Sequence, residues 1–182
     1  MDCFAGATIP KPFDIGIPFY SVENVTANDF EHTKFITKAE HTLLSARIKI
    51  EKGDILMTRI GSIGECKYID WEPEASFYVS LALLKCNNKV DSRYISYYSN
   101  SEQFKKELEL RSLFYAIPQK INLGSISEII ICIPSKSEQT AIAKVLSSMD
   151  KEIESLNKKL SKYRALKTAM MQQLLTGKIR LG

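Results

Sequence analysis

Three stretches of the chain crowd apolar and β-branched residues into runs of strand length: Asp54–Ile60, Phe77–Lys85 and Ser127–Ile133. Gly53 and Asp54 mark a turn before the first, Gly61 and Gly64 bracket a tight loop after it, and Pro134 stops the third. The second and third are almost continuously apolar, the pattern of strands covered on both faces. Helical pieces lie between them. Asp91 can cap a helix carrying Ile95 and Tyr98, and Ser101 can cap another with Phe104 and Leu108 four apart on one face. The pattern predicts an α+β domain over residues 1–135.

After Pro134 the period changes. Ser135 followed three residues later by Glu138 fits a capping box that starts a helix near Lys136. No Pro or Gly then occurs until Gly177, a natural C-cap site. Within this span Ile142, Leu146, Met149, Ile153, Leu156, Leu160, Tyr163, Met170 and Leu174 form a heptad seam, interrupted only at Lys167, where Leu166 lies one place off it. A helix of about 40 residues is roughly 60 Å long at 1.5 Å per residue. A stripe of that length exceeds what a small domain can cover, so it calls for a partner helix; the alternative is a helix folded back across its own domain. The organisation expected is therefore a domain over 1–135 and a pairing helix with its tail over 136–182.

Charge follows the same division. Residues 1–135 hold 15 Lys+Arg against 17 Asp+Glu, whereas residues 136–182 hold 10 against 4, and no acid follows Ser155. A basic half-helix suits nucleic acid, an acidic protein partner, or simply a solvated face. The four cysteines, Cys3, Cys66, Cys86 and Cys132, form no CxxC pair, and three sit in apolar runs, which reads as buried reduced thiols. His32 and His41 match no zinc spacing. No run reaches the roughly 18 apolar residues of a membrane span, and Met1–Gly6 has neither the basic nor the apolar region of a signal peptide. These features predict a cytoplasmic protein without metal, cofactor or membrane association.

Catalytic signatures are missing from the sequence. It contains no GxxxxGK[ST] or GxGxxG phosphate loop, no Asn/Asp-Pro-Pro-aromatic tetrapeptide for a flipped base, and no nuclease-like acidic cluster with a basic residue. Gly61-Ser62-Ile63-Gly64 is a GxxG, which by itself is a turn, and Asp54 and Glu65 around it are a commonplace pair. The chain is expected not to be an enzyme.

Two segments carry a resemblance. Ile133-Pro134-Ser135-Lys136-Ser137-Glu138-Gln139-Thr140-Ala141-Ile142-Ala143, running on to Asp150, resembles the junction of type I restriction–modification specificity subunits, where a Pro closes a recognition domain and Glu-Gln and Ile-Ala open a long helix. Leu166 to Leu181, with Met170-Met171-Gln172-Gln173-Leu174-Leu175-Thr176-Gly177, resembles the C-terminal signature of that helix. Upstream, Gly6-Ala7-Thr8, Gly16-Ile17-Pro18-Phe19-Tyr20, Gly53-Asp54-Ile55-Leu56 and Thr58-Arg59-Ile60-Gly61 are similar to landmarks of the recognition domain.

The resemblance implies a mixed-sheet target-recognition domain followed by one helix that pairs as an antiparallel coiled coil. It implies double-stranded DNA as ligand, one half of a split target per domain, and methyltransferase subunits docked on the helices. Restriction subunits would join through the complex, and the helix would pair with itself or with another half-subunit. The chain has one domain and one helix where a complete subunit has two of each, which makes it a half-length subunit or a fragment. It also begins at Phe4-Ala5-Gly6 without the strand expected ahead of that motif.

Residue type and placement then select DNA-contact candidates: Thr58, Arg59 and Ser62 at the glycine loop, Lys67, Tyr78 and Ser80 on the same face, and Arg111, Ser112, Tyr115, Gln119 and Lys120 in a polar loop before the last strand. Arg and Lys suit guanine edges or phosphates, Gln suits adenine, and Ser or Thr suits either. The competing expectation is a coiled-coil interaction module without DNA specificity. The balance of acids over bases in 1–135 favours weak binding by the isolated domain.

Overall fold

A computed structural model describes residues 1–8, 15–113 and 115–181. It divides into two compact units, Met1–Thr140 and Ala141–Gly182. The first is built on two sheets. Strands β1 (Asp2–Ala5), β4 (Ile55–Thr58), β5 (Cys66–Tyr68) and β7 (Leu81–Lys85) form an antiparallel sheet in the order β1-β7-β4-β5. Strands β2 (Ile17–Tyr20), β3 (Lys34–Ile36) and β6 (Ser76–Phe77) form a mixed sheet in which β2 pairs antiparallel with β3 and parallel with β6.

The central strands β4 and β7 are buried on both faces, which is why their sequences do not alternate. Alternate residues Leu56, Leu81 and Leu83 join Tyr20, Phe77, Val25, Ile50 and Ile69 in one apolar core. On the remaining flanks, α3 (Ser92–Tyr98) packs against β5, α5 (Leu123–Ser127) against β1, and α4 (Glu102–Arg111) against α5. Asp91 caps α3 through its carboxylate, and the Ser101 hydroxyl accepts the Phe104 N–H at the start of α4. Two short helices, α1 (Val22–Ala27) and α2 (Lys38–Ser45), lie in the first part of the chain.

Four expectations need correction. The run Phe77–Lys85 is two strands, not one, because the chain changes sheets at Tyr78–Ser80, where Leu81 N–H turns back to the Tyr78 carbonyl at 2.9 Å. Both halves are buried, so apolar continuity could not mark the break. The run Ser127–Ile133 is not a strand: α5 ends at Ser127, and the irregular segment beyond it is held by side chains. Glu107 accepts the Ile130 N–H at 3.1 Å and the Tyr94 hydroxyl donates to the Cys132 carbonyl at 2.8 Å. Ile130 and Ile133 are left exposed there. Cys132 is exposed, unlike the half-buried Cys3, Cys66 and Cys86. Finally, a strand does begin ahead of Phe4-Ala5-Gly6 and runs into it: β1 pairs with β7 from Asp2↔Lys85 to Ala5↔Ala82.

The helix α6 runs Lys136–Leu175, 40 residues. The Ser135 hydroxyl accepts the Glu138 N–H at 3.4 Å, and Gly177, at φ 71°, returns its N–H to the Leu174 carbonyl at 3.2 Å. Its first turn belongs to the first unit, where Gln139 is a buried polar hub. The Gln139 side-chain oxygen accepts the Asp91 N–H at 2.8 Å, and its amide donates to the Pro134 and Lys89 carbonyls at 2.9 and 3.3 Å. The Thr140 hydroxyl donates to the Asp91 carboxylate at 3.0 Å.

Candidate functional site

Strand β4 ends on Thr58, and the chain turns sharply into the Gly61–Gly64 loop. Thr58 is fully buried and closes that loop from below: its hydroxyl accepts the Glu65 N–H at 3.0 Å, its N–H donates to the Glu65 carbonyl at 2.9 Å, and its carbonyl accepts the Gly64 N–H at 2.9 Å. Gly64 has φ 92°, and a Cβ there would lie 2.2 Å from Leu108 Cδ1, so the loop stands directly on α4. Ser62, between the glycines, is exposed.

Arg59 is half-buried and acts first as a strut. Its Nε donates to the Val79 carbonyl at 2.8 Å and its guanidinium to the Ile121 carbonyl at 3.3 Å. Its own N–H donates to the Ser80 carbonyl, and its carbonyl accepts the Ile121 N–H, each at 2.9 Å. These two carbonyls accept from the guanidinium without cancelling its charge. Among the described residues no carboxylate lies within ion-pair distance of Arg59 or of the exposed Lys120. Burial pushes the nearby Cys3 thiol up to about 11, and the positive charge of Arg59 draws it back.

A second loop is tied to the first. Leu113 N–H donates to the Lys120 carbonyl at 2.9 Å and closes the segment 113–120 on itself; Ala116 N–H turns back to the Leu113 carbonyl at 3.1 Å. Gly61 N–H then donates to the Gln119 carbonyl at 2.8 Å, and Ile60 bridges Lys120, so the two loops share an edge. Gln119 and Lys120 are exposed, as is Tyr115, which has 102% of its reference exposure; Ile117 beside it has 100%. Phe114 lies outside the described residues.

The structure thus gathers Arg59, Ser62, Tyr115, Gln119 and Lys120 around one pair of loops, and distributes the other candidates differently. Arg111 ends α4 and pairs with Glu107 at 2.5 Å, while Ser112 is the helix C-cap with its hydroxyl on the Glu109 carbonyl at 3.1 Å. Lys67 donates to Asn28 at 2.6 Å and lies over the Phe30 and Trp71 rings, 5.7 and 5.8 Å from their centroids. Tyr78 is half-buried, edge-on to Phe19 at 6.0 Å, and Ser80 is buried. Sequence reasoning missed Ile117 by treating the second loop as polar; the one available signal was Ile117-Pro118, a dipeptide that favours an extended or turn conformation.

On α6, Met149, Ile153, Leu156, Leu160, Tyr163 and Met170 are exposed, and Ile142, Leu146 and Leu174 are half-exposed. Among the described residues no helix is long and apolar enough to cross a membrane, and no cluster of three His, Cys, Asp or Glu could hold a metal ion.

Comparison with known proteins places this architecture. The family model for the type I restriction modification DNA specificity domain matches residues 6–162. Two curated proteins of Methanocaldococcus jannaschii are similar. The putative type I restriction enzyme MjaX specificity subunit is 27% identical over 175 residues, 89% of this chain and 40% of the relative. The type I restriction enzyme MjaVIII specificity subunit is 32% identical over 142 residues, 74% of this chain and 33% of the relative. The chain therefore spans two-fifths or less of the length of these two proteins.

Solved structures agree at the level of fold. A chain solved in work on complex assembly and conformational transition of the type I R-M system aligns with TM-score 0.64 at 17% identity, covering 94% of this chain and 42% of that one. The type I restriction-modification S subunit from M. genitalium aligns with TM-score 0.60 at 19% identity over the same shares. The sheet-built first unit, the single long helix and the match over residues 6–162 lead to one conclusion: this chain belongs to the type I restriction modification DNA specificity domain family.

Proposed function

We propose that the chain is the DNA-reading, non-catalytic part of a type I restriction–modification complex, acting in the cytoplasm. Residues 1–135 read one half of a bipartite double-stranded target, and the helix docks methyltransferase subunits and pairs with a second helix, from another copy or another half-subunit. The observation that carries this reading is the DNA specificity family match running through both the recognition unit and most of the helix. The linked loops support it: they bring Ser62, Gln119 and Lys120 to the surface beside Arg59. Ser and Gln can read base edges, and two cations without carboxylate partners suit phosphates.

The experiment is methylation of a randomised DNA pool by a type I modification subunit with and without this chain. Adding the chain should confine methylation to one bipartite motif, while the chain alone should neither methylate nor cleave DNA nor hydrolyse ATP. Methylation indifferent to the chain, with the chain still self-associating, would favour a coiled-coil interaction module without DNA specificity. Restriction subunits would enter through the assembled complex.

A further inference from the structure

The Leu113–Lys120 loop joins two properties that rarely occur together. Its base is fastened at two points, by Leu113 to Lys120 and by Gly61 to Gln119, while its tip presents large apolar surface to solvent. Tyr115 and Ile117 are fully exposed and Leu113 is 43% exposed. A single exposed apolar residue means nothing, but Leu113, Tyr115 and Ile117 are three exposed large apolar residues within five positions, beside backbone tie points at Leu113, Gln119 and Lys120. The surroundings indicate what covers it. Lys120 within the loop and Arg59 beneath it have no carboxylate partner among the described residues, whereas Arg111 at the loop's entry is already paired. Apolar contact beside cations that no carboxylate neutralises matches a base edge flanked by phosphates. The apolar group that a base pair offers in the major groove is the thymine C5-methyl.

We propose that the Leu113–Lys120 loop reads sequence through its apolar tip, with Ile117 packing against the C5-methyl of a thymine in the major groove while Lys120 contacts phosphate. This rests on the DNA-reading function above and adds a base identity and a residue to it. Ile117 makes no packing contact that its removal would empty, so Ile117→Ala leaves the fold and its thermal unfolding unchanged.

The test uses the full chain assembled with its modification subunit and the motif mapped from the randomised pool. Ile117→Ala should relax one position of the half-site, and that position should be a thymine in the wild-type motif. Duplexes with 2′-deoxyuridine at that position, lacking only the methyl, should bind the wild-type complex about fivefold more weakly and Ile117→Ala no more weakly than thymine. Lys120→Ala should weaken all sequences alike and lower the salt dependence by about one counterion. An unchanged motif for Ile117→Ala, relaxation at a position without thymine, or wild-type indifference to deoxyuridine would overturn the assignment while the DNA-reading function stands. Failure of the wild-type chain to direct methylation at all would remove that function and this inference together.

Discussion

Two glycines of the same loop separate backbone strain from packing. Gly61, at φ 83°, has open space where a Cβ would go, so Gly61→Ala meets only the left-handed penalty, about 1–2 kcal/mol. Gly64, at φ 92°, faces Leu108 Cδ1 at 2.2 Å, so Gly64→Ala adds overpacking against α4 and should cost about 3 kcal/mol or more. Urea unfolding of the two variants gives the comparison, and equal losses would show that the loop does not rest on Leu108. Cys66 supplies a pH dependence. Burial pushes its thiol from 9.0 up to about 12, with a hydrogen bond involving Ser99 pulling the other way. A raised folded-state value means the native state binds more protons than the unfolded chain between pH 9 and 12, so stability falls as pH rises through that window. Cys66→Ala should flatten the decline by on the order of 1 kcal/mol per pH unit. At pH 8 an alkylating reagent should mark the exposed Cys132 and spare Cys66.

At the scale of elements, α6 leaves its seam uncovered in the single chain: Ile153 is 56% exposed and Leu160 47%. An isolated helix with such a stripe gains most of its stability by burying it. The chain should therefore self-associate at tens of micromolar, and Ile153→Asp with Leu160→Asp should give monomers by light scattering, since each buried carboxylate would face apolar surface. A monomeric wild type under the same conditions would overturn pairing of the helix with its own copy. The Glu154–Lys158 pair at 2.6 Å lies on the exposed surface of this helix and contributes little to either state.

At the scale of the whole molecule, symmetry turns pairing into a statement about DNA. Two identical chains paired antiparallel are related by a two-fold axis and present the same reading loops in opposite orientations, so the assembled complex should recognise an interrupted palindrome. The proposed reading makes the helix the ruler between the halves. Deleting Ile153–Lys159 removes seven residues, keeps the heptad phase and shortens the helix by about 10 Å at 1.5 Å per residue. The preferred spacer should then lose about three base pairs at 3.4 Å each, with both half-sites unchanged. Mapping of methylated bases in cells expressing either version measures this. An asymmetric target would identify the chain as one half of an unlike pair.

What the sequence determined by itself is what depends on near neighbours. The helix was legible from Ser135 to Gly177 because a cap, a heptad repeat and a terminating glycine all act within one or two turns. The caps of Asp91 and Ser101, and the buried Phe104 and Leu108 that follow, were legible for the same reason. The strand at Ile55–Thr58 was legible, but the division of 77–85 between two sheets was not, because burial on both faces erases the alternation that would have revealed it. Ser127–Ile133 misled because strand propensity needs an edge to pair with, and here the side chains of Tyr94 and Glu107 take the backbone groups instead. Only the tertiary structure decided the site. It buried Thr58, made Arg59 a strut between Val79 and Ile121, and tied Gly61 to Gln119 across 58 positions of chain. Such contacts carry no local signature, since hydrogen bonds between distant backbone groups depend on no side chain that a sequence pattern could display.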